Sequence, residues 1–440
     1  MSTKRVPSCR GIRMRPERNV FQRAFIKHNT PLRGIVFDNQ AAPWHNKIMA
    51  LVENILVRPI LGFRGKETIE VRLSDSASRT AACRIPFGVS EGKYEAVYCS
   101  PQEAVQRGQE MVLPAIKGFA FGNQPGFDKK LIDLDGTPQK SRLGGNLMLG
   151  ASLAYARLSS LEQQRPLYLY LAELAGLGSD YRPPRLLCNL VEGGVHADND
   201  LEFQEHLIIP RPGQVRQSLA VIKQYAVSFF AELKKMNKAM VFGDEGGWAG
   251  AFDTEESLMR LIQDVQAKTG VELDFGFDIA ANNVTAFEPK AYLRRYLGFI
   301  NDYPIIFIED PFPEEGYERF YQELLMQAGK KVQVVGDDLV ATNPEKIKYF
   351  SEKKAINSVI IKPDQVGTLT ETLESVKLAR KNKWTVAVAH RAQETVDDYL
   401  ADLAVGIRAD FVKFGYLYQA ERLAKYNRLL EIEDGLDCLV

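Results

Sequence analysis

No two of the five cysteines in this 440-residue chain form a CxxC pair: Cys9, Cys83, Cys99, Cys188 and Cys438 are odd in number and widely scattered. Nothing in that spacing suggests zinc or a redox dithiol, and the thiols are expected to be free, in a reducing compartment. No run of about 18 apolar residues is present to span a bilayer, and the N-terminus lacks the apolar core of a secretory signal. Net charge is missing as well, since 56 Lys and Arg balance 56 Asp and Glu, so no global field draws the chain to nucleic acid or to a membrane. Together these absences predict a cytoplasmic protein with neither kind of partner. Acidic residues are nearly absent from the first 37 positions, where nine Lys or Arg face only Glu17. Such a composition fits a targeting segment, a disordered arm or residues upstream of the true start. Residues 1–50 are therefore read as a basic extension, disordered in part.

With 45% hydrophobic and 25% charged residues, the remainder has the composition of a globular protein, long enough for two domains, one of them a barrel of about 250 residues. The stretch ENILVRPILGFRGKETIEVRLS is rich in β-branched residues around a central glycine turn and predicts an antiparallel hairpin. A Gly-rich loop follows at PFGVSEGKYEA. From about Gln102 to Gly178 apolar residues recur at three- and four-residue spacing, which predicts helices. Residues 51–182 thus read as a small α+β domain ending near Pro183-Pro184, and residues 183–440 as a second domain.

That second part alternates short apolar runs with amphipathic stretches. The runs VELDFGFD, YPIIFIED, KVQVVGDD, INSVIIK, WTVAVAH and DFVKF end in Asp278, Glu309, Asp337, Lys362, His390 and Lys413, spaced by 31, 28, 25, 28 and 23 residues. This is the pitch of a repeating strand-helix unit. Strands buried on both faces are apolar throughout, so charges at their ends should meet where the parallel strands all point the same way. In a β/α barrel that place is the C-terminal rim, where active sites are built.

Three carboxylates on neighbouring strand ends repel one another strongly enough to raise their pKa values. A divalent cation resolves the conflict, and all-oxygen ligation by Asp278, Glu309 and Asp337 suits Mg²⁺ better than zinc. The alternative is a structural salt-bridge network with Lys362 and Lys413. A metal ion close to Lys362 would favour its neutral amine and make it a base for proton abstraction. Lys413, with the metal, would hold a substrate carboxylate as charge moves onto it. A departing hydroxide needs a proton donor. Glu205, in NLVEGGVHADNDLEFQEH beside His196 and Gln204, and Glu245, in VFGDEGGWAG, are the carboxyls available.

At these residues the chain resembles the enolase family, over about Ile55 to Asp434. The family's specific stretches have counterparts in VFGDEGGW, YPIIFIEDPF, VQVVGDDLVATNP, IIKPDQVGTLTET, AHRAQET and ERLAKYNRLLEIED. The resemblance implies an enolase-type C-terminal β/α barrel with a smaller N-terminal α+β capping domain, bound Mg²⁺, and a homodimer. It implies metal ligands at Asp278, Glu309 and Asp337, a base at Lys362, and an acid at Glu245 assisted by Glu205. His196, Gln204, His390, Arg391 and Lys413 fall on substrate-contacting positions, and Ser90 on the loop serine that reaches a second magnesium. A Lys or His base working with one or two Mg²⁺ is a known pattern of this superfamily, so that pairing is not new.

The departures are concentrated. The loop that normally reads SGAST is FGVSE here, placing Phe87 and Glu91 where small hydroxyl residues are usual. Ala392 replaces a phosphate-contacting serine, Phe414 a threonine, and GFRGKET the usual DSRGNPT. The stretch between Asp278 and Glu309 is also short. The leading expectation is dehydration of 2-phosphoglycerate to phosphoenolpyruvate. A second is an enolase paralogue of a phosphonate pathway acting on a glycerate with a different 2-substituent. A third is a non-catalytic scaffold whose basic tail binds a partner. The first two imply a small phosphorylated or phosphonylated hydroxy acid as ligand.

Overall fold

The computed structural model describes residues 50–88, 94–178 and 180–435. Cys9, Cys438, Ser90, Glu91 and the basic extension up to residue 49 lie outside them. The expected hairpin is present: β1 (Val52–Leu61) pairs antiparallel with β2 (Glu67–Asp75), which pairs antiparallel with β3 (Thr80–Ile85). Its turn passes through Arg64 and Gly65, both at positive φ (55° and 73°), where glycine relieves the strain at one of the two positions. Helices follow at α1 (Pro101–Arg107), α2 (Leu113–Ile116), α3 (Gln124–Asp135), α4 (Gly145–Glu162) and α5 (Leu167–Ala175). Serine and glutamate at Ser100 and Glu103 close a capping box at the start of α1. α4 is buried along almost all of its length and lies on the sheet; Gly150 allows this, because a Cβ there would collide with Val71.

The chain then enters an eight-stranded closed barrel. Its elements in order are β4 (Arg185–Glu192), β5 (Glu205–Pro210), α6 (Val215–Lys235), α7 (Glu255–Thr269), β6 (Leu273–Asp278), α8 (Pro289–Asp302), β7 (Ile305–Glu309), α9 (Glu318–Ala328), β8 (Gln333–Gly336), α10 (Pro344–Lys353), β9 (Ser358–Ile361), α11 (Leu369–Lys381), β10 (Thr385–Ala389), α12 (Tyr399–Gly406), β11 (Phe411–Lys413) and α13 (Ala420–Glu433). Around the ring the strands run β10, β11, β4, β5, β6, β7, β8, β9. Side chains from alternate positions, among them Leu187, Leu207, Phe307, Val335, Ile360 and Phe411, fill the interior. No described helix is long and apolar enough to cross a membrane.

The strands are not all parallel, as the sequence reading assumed. β5 runs antiparallel to both β4 and β6. The cause is the connection: residues 193–204 hold one short 3₁₀ turn, Gly194–His196, and no crossover helix, so the chain folds straight back as a hairpin. The run VFGDEGGW is a loop whose only strand character is in isolated bridges, Phe242 to Trp248 and Val191 to Trp248.

Candidate active site

Each of the six strand-end residues reaches the same rim, because each closes its strand or follows it by one residue: Asp278, Glu309 and Lys413 are the last residues of β6, β7 and β11, while Asp337, Lys362 and His390 follow β8, β9 and β10. Glu205 reaches this rim by a different route. It opens the reversed strand β5, and the register sets it beside Glu192 on one side and Asp278 on the other. Asp278 in turn lies beside Glu309. Glu205, Asp278, Glu309 and Asp337 are all at most 5% exposed.

Lys413 sits among the carboxylates. Its Nζ lies 2.8 Å from both Glu309 oxygens, 3.2 Å from Asp278 Oδ2 and 3.1 Å from Glu205 Oε2. Lys362 donates to Asp337 Oδ2. Burial pushes the Glu309 carboxyl well above the usual range, and repulsion from Asp278 adds to it despite Lys413. Burial is the largest single influence on Lys362 and lowers its pKa, but the negative charges of Asp337 and Asp338 pull the other way and the net shift is upward. Gln204 Nε2 donates to Asp278 Oδ2 at 3.4 Å.

The acid side centres on Glu245. Its Oε2 accepts from Asn189 Nδ2 at 2.8 Å and lies 2.8 Å from His390 Nε2. His390 Nδ1 is 2.8 Å from Arg422 Nη1. Arginine only donates, so Nδ1 is the acceptor and Nε2 carries the proton that His390 gives to Glu245. Burial, with Arg422 alongside, pushes the His390 pKa down to about 3, which keeps the ring neutral. Glu205 is pushed well above its ordinary range by burial and by Glu245. Burial would raise Glu245 too, but His390, His196 and Lys413 hold it well below that range. The pair therefore shares one proton. His196 Nδ1 is 3.9 Å from Glu205 Oε1. Fully buried Glu192 fixes the loop, accepting from the backbone N–H of Glu245 (3.1 Å) and Gly247 (2.5 Å).

Arg391 lies at the end where the departures were noted. Its Nη2 is 2.9 Å from Glu95 Oε2 and its Nη1 is 2.8 Å from Asp364 Oδ2. Ala392 lines the same pocket as Lys362 and Arg391. Phe87 pairs with Gln393 through both backbone groups, N–H to O at 3.1 and 3.2 Å. Phe414, by contrast, is fully buried in the core against Tyr426 and faces away from the pocket. Asn189, Glu192, Arg422, Glu95 and Asp364 were not singled out from the sequence. Only Glu192 carried a signal, as a carboxylate ending an apolar run.

Asp278, Glu309 and Asp337 offer only oxygen donors, and the undercompensated charge of Glu309 is what a hard dication relieves. The residues present therefore fit Mg²⁺. A second group, His196, Glu205 and Glu245, brings ligand atoms within 4.8 Å of one another. It contains a histidine and the proton-sharing pair, and suits Mg²⁺ less well.

Residues 52–171 match the family model for the enolase N-terminal domain, and residues 181–295 and 283–438 match that for the enolase C-terminal TIM barrel domain. Enolase B of Dictyostelium discoideum is 35% identical over 430 residues, covering 88% of this chain and 96% of its own length.

Proposed function

The chain belongs to the enolase family and is a carbon–oxygen lyase of the enolase type, and from that premise we propose that it dehydrates 2-phosphoglycerate to phosphoenolpyruvate with Mg²⁺. The observation that carries this reading is the placement of base and acid. In the eight-strand ring Lys362, after β9, lies diametrically across from Glu205, which opens β5 beside Glu245. A substrate lying over the barrel mouth is then flanked by an amine on one side and a proton-bearing carboxyl pair on the other.

Mg²⁺ held by Asp278, Glu309 and Asp337 would polarise the substrate carboxylate and so acidify the neighbouring C–H. With the Asp337 carboxylate engaged by the metal, Lys362 would release its own proton to solvent and, as the free amine, take the substrate proton at Nζ. Lys413 stabilises the charge that moves onto the substrate carboxylate. Glu245 delivers the proton it shares with Glu205 to the departing hydroxyl. The C–H and C–O bonds break, a carbon–carbon double bond forms, and water leaves. His390 and Asn189 orient Glu245 throughout.

A second reading, a paralogue acting on a glycerate with a different 2-substituent, is favoured by Ala392 and by the two carboxylates on Arg391. No observation carries the scaffold reading. The homodimer and cytoplasmic placement stand as proposals on the family likeness. The test is steady-state formation of phosphoenolpyruvate from 2-phosphoglycerate. Turnover should vanish on chelation with EDTA and return with Mg²⁺; full turnover after exhaustive chelation would remove the metal, and none under any metal would remove this substrate.

A further inference from the structure

An arginine placed to hold an anionic substituent normally offers it a free edge of the guanidinium, in the bidentate manner that makes arginine suited to phosphate. Arg391 is differently placed. It is 5% exposed, and each terminal nitrogen already meets a buried carboxylate, Glu95 at 2.9 Å and Asp364 at 2.8 Å, themselves 7% and 2% exposed. Asp364 is held in position from behind, where Tyr98 Oη donates to the same Oδ2 at 3.0 Å. One positive charge thus faces two negative ones, in surroundings with little water to screen them. The neighbouring ammonium of Lys362 is paired with Asp337. Ala392, in the same pocket wall, has no hydroxyl to donate.

We propose that Asp364 is a specificity-determining residue: by occupying Arg391 together with Glu95, it makes this end of the pocket accept a substituent with one negative charge in preference to one with two. The ligand class favoured at this end is a small 2-substituted hydroxy acid whose substituent carries one negative charge, a phosphodiester or the ester of a phosphonate; 2-phosphoglycerate, the substrate proposed above, is held there less tightly. The inference rests on the enolase-type reading of the site and refines its substrate. A phosphate monoester has its second pKa near 6 and carries almost two charges above pH 7, so 2-phosphoglycerate meets the full repulsion there. A monoanionic ester does not.

The experiment is calorimetric binding at pH 8 with Mg²⁺ present, using 2-phosphoglycerate and its phosphate methyl ester as probes, on the parent, Asp364→Asn and Glu95→Gln. The amide keeps the shape of the side chain and removes its charge. The parent should bind the ester at least tenfold more tightly than 2-phosphoglycerate. Asp364→Asn should tighten 2-phosphoglycerate about tenfold while moving the ester less than about threefold, and Glu95→Gln should shift the ratio the same way if Asp364→Asn does not fold. A parent that binds the dianion as tightly as the ester overturns the proposal. So does a ratio untouched by either substitution, or the failure of both probes to bind. Turnover reports separately on the underlying reading. The expected binding ratios without any elimination would sink that reading and leave the role of Asp364 standing, whereas ordinary turnover of 2-phosphoglycerate with a flat ratio would do the reverse.

Discussion

Arg422 has no hydrogen-bond acceptor to offer, and this sets the protonation of the acid side of the site. It holds His390 as a donor to Glu245 through Nε2 and also binds the backbone oxygens of Asp244, Arg391 and Ala392. Glu245 should therefore act on the leaving hydroxyl and have little part in breaking the C–H bond. Glu245→Gln is expected to cut product formation about 100-fold or more while exchange of the substrate's α-proton with solvent persists; equal loss of both rates would contradict the assignment. A second prediction concerns His206, whose ring packs between Phe203 and Phe277. Burial pushes its pKa down to about 4 from the usual 6.5. Between those values the unfolded chain binds the extra proton, so stability rises with pH across the window and is lost as pH falls through it, by about 3 kcal/mol in all. Urea midpoints at pH 5 and pH 7 should differ less for His206→Phe than for the parent. At this scale the sequence was legible wherever a charge ended an apolar run, as with Asp278 or Lys413. It was silent on Asn189, Arg422, Glu95 and Asp364, whose roles depend on partners 27 to 296 residues away.

Among the elements, β5 shows what periodicity leaves out. Six parallel strands could be read from their pitch, but an apolar run carries no direction, and EHLIIP gives no sign that it is antiparallel. The reversal matters chemically, because it brings the first residue of a strand, Glu205, to a rim otherwise built from strand ends. β4 escaped notice for a similar reason, since RLLCNLVE is followed by a glycine loop and not by the expected helix. A further tie joins α3 to α11: Asp128 Oδ2 accepts from the backbone N–H of Thr370 at 2.9 Å and from its hydroxyl at 2.6 Å. Asp128 thus serves as a cap from outside the helix, fully buried, with burial raising its pKa to about 6. Asp128→Ala takes the acceptor from both Thr370 donors and should cost about 2 kcal/mol of stability, read as a lower urea midpoint with kcat nearly unchanged. A large fall in kcat at full stability would show that this tie reaches the site.

At the scale of the whole molecule, the three-stranded sheet helps to wall the barrel mouth. The hairpin turn docks there through Phe63 N–H on the Glu394 carbonyl at 2.9 Å and through an ion pair between Arg64 and Asp244. Arg157 on α4 binds Asp397 and Asp398 on the loop after β10. The altered GFRGKET turn therefore lies against the loop that carries Glu245, and Glu95, from the segment before α1, completes the setting of Arg391. All of this positions groups around one chemical event, the removal of a proton next to a carboxylate by Lys362. The most direct measurement is the exchange of the α-proton of 2-phosphoglycerate in D₂O, followed by NMR with Mg²⁺ present. The parent should exchange it, and Lys362→Ala should not, at least 1,000-fold slower by the usual contribution of a positioned base and its orientation. Exchange by Lys362→Ala at the parental rate would place the base elsewhere and contradict the account.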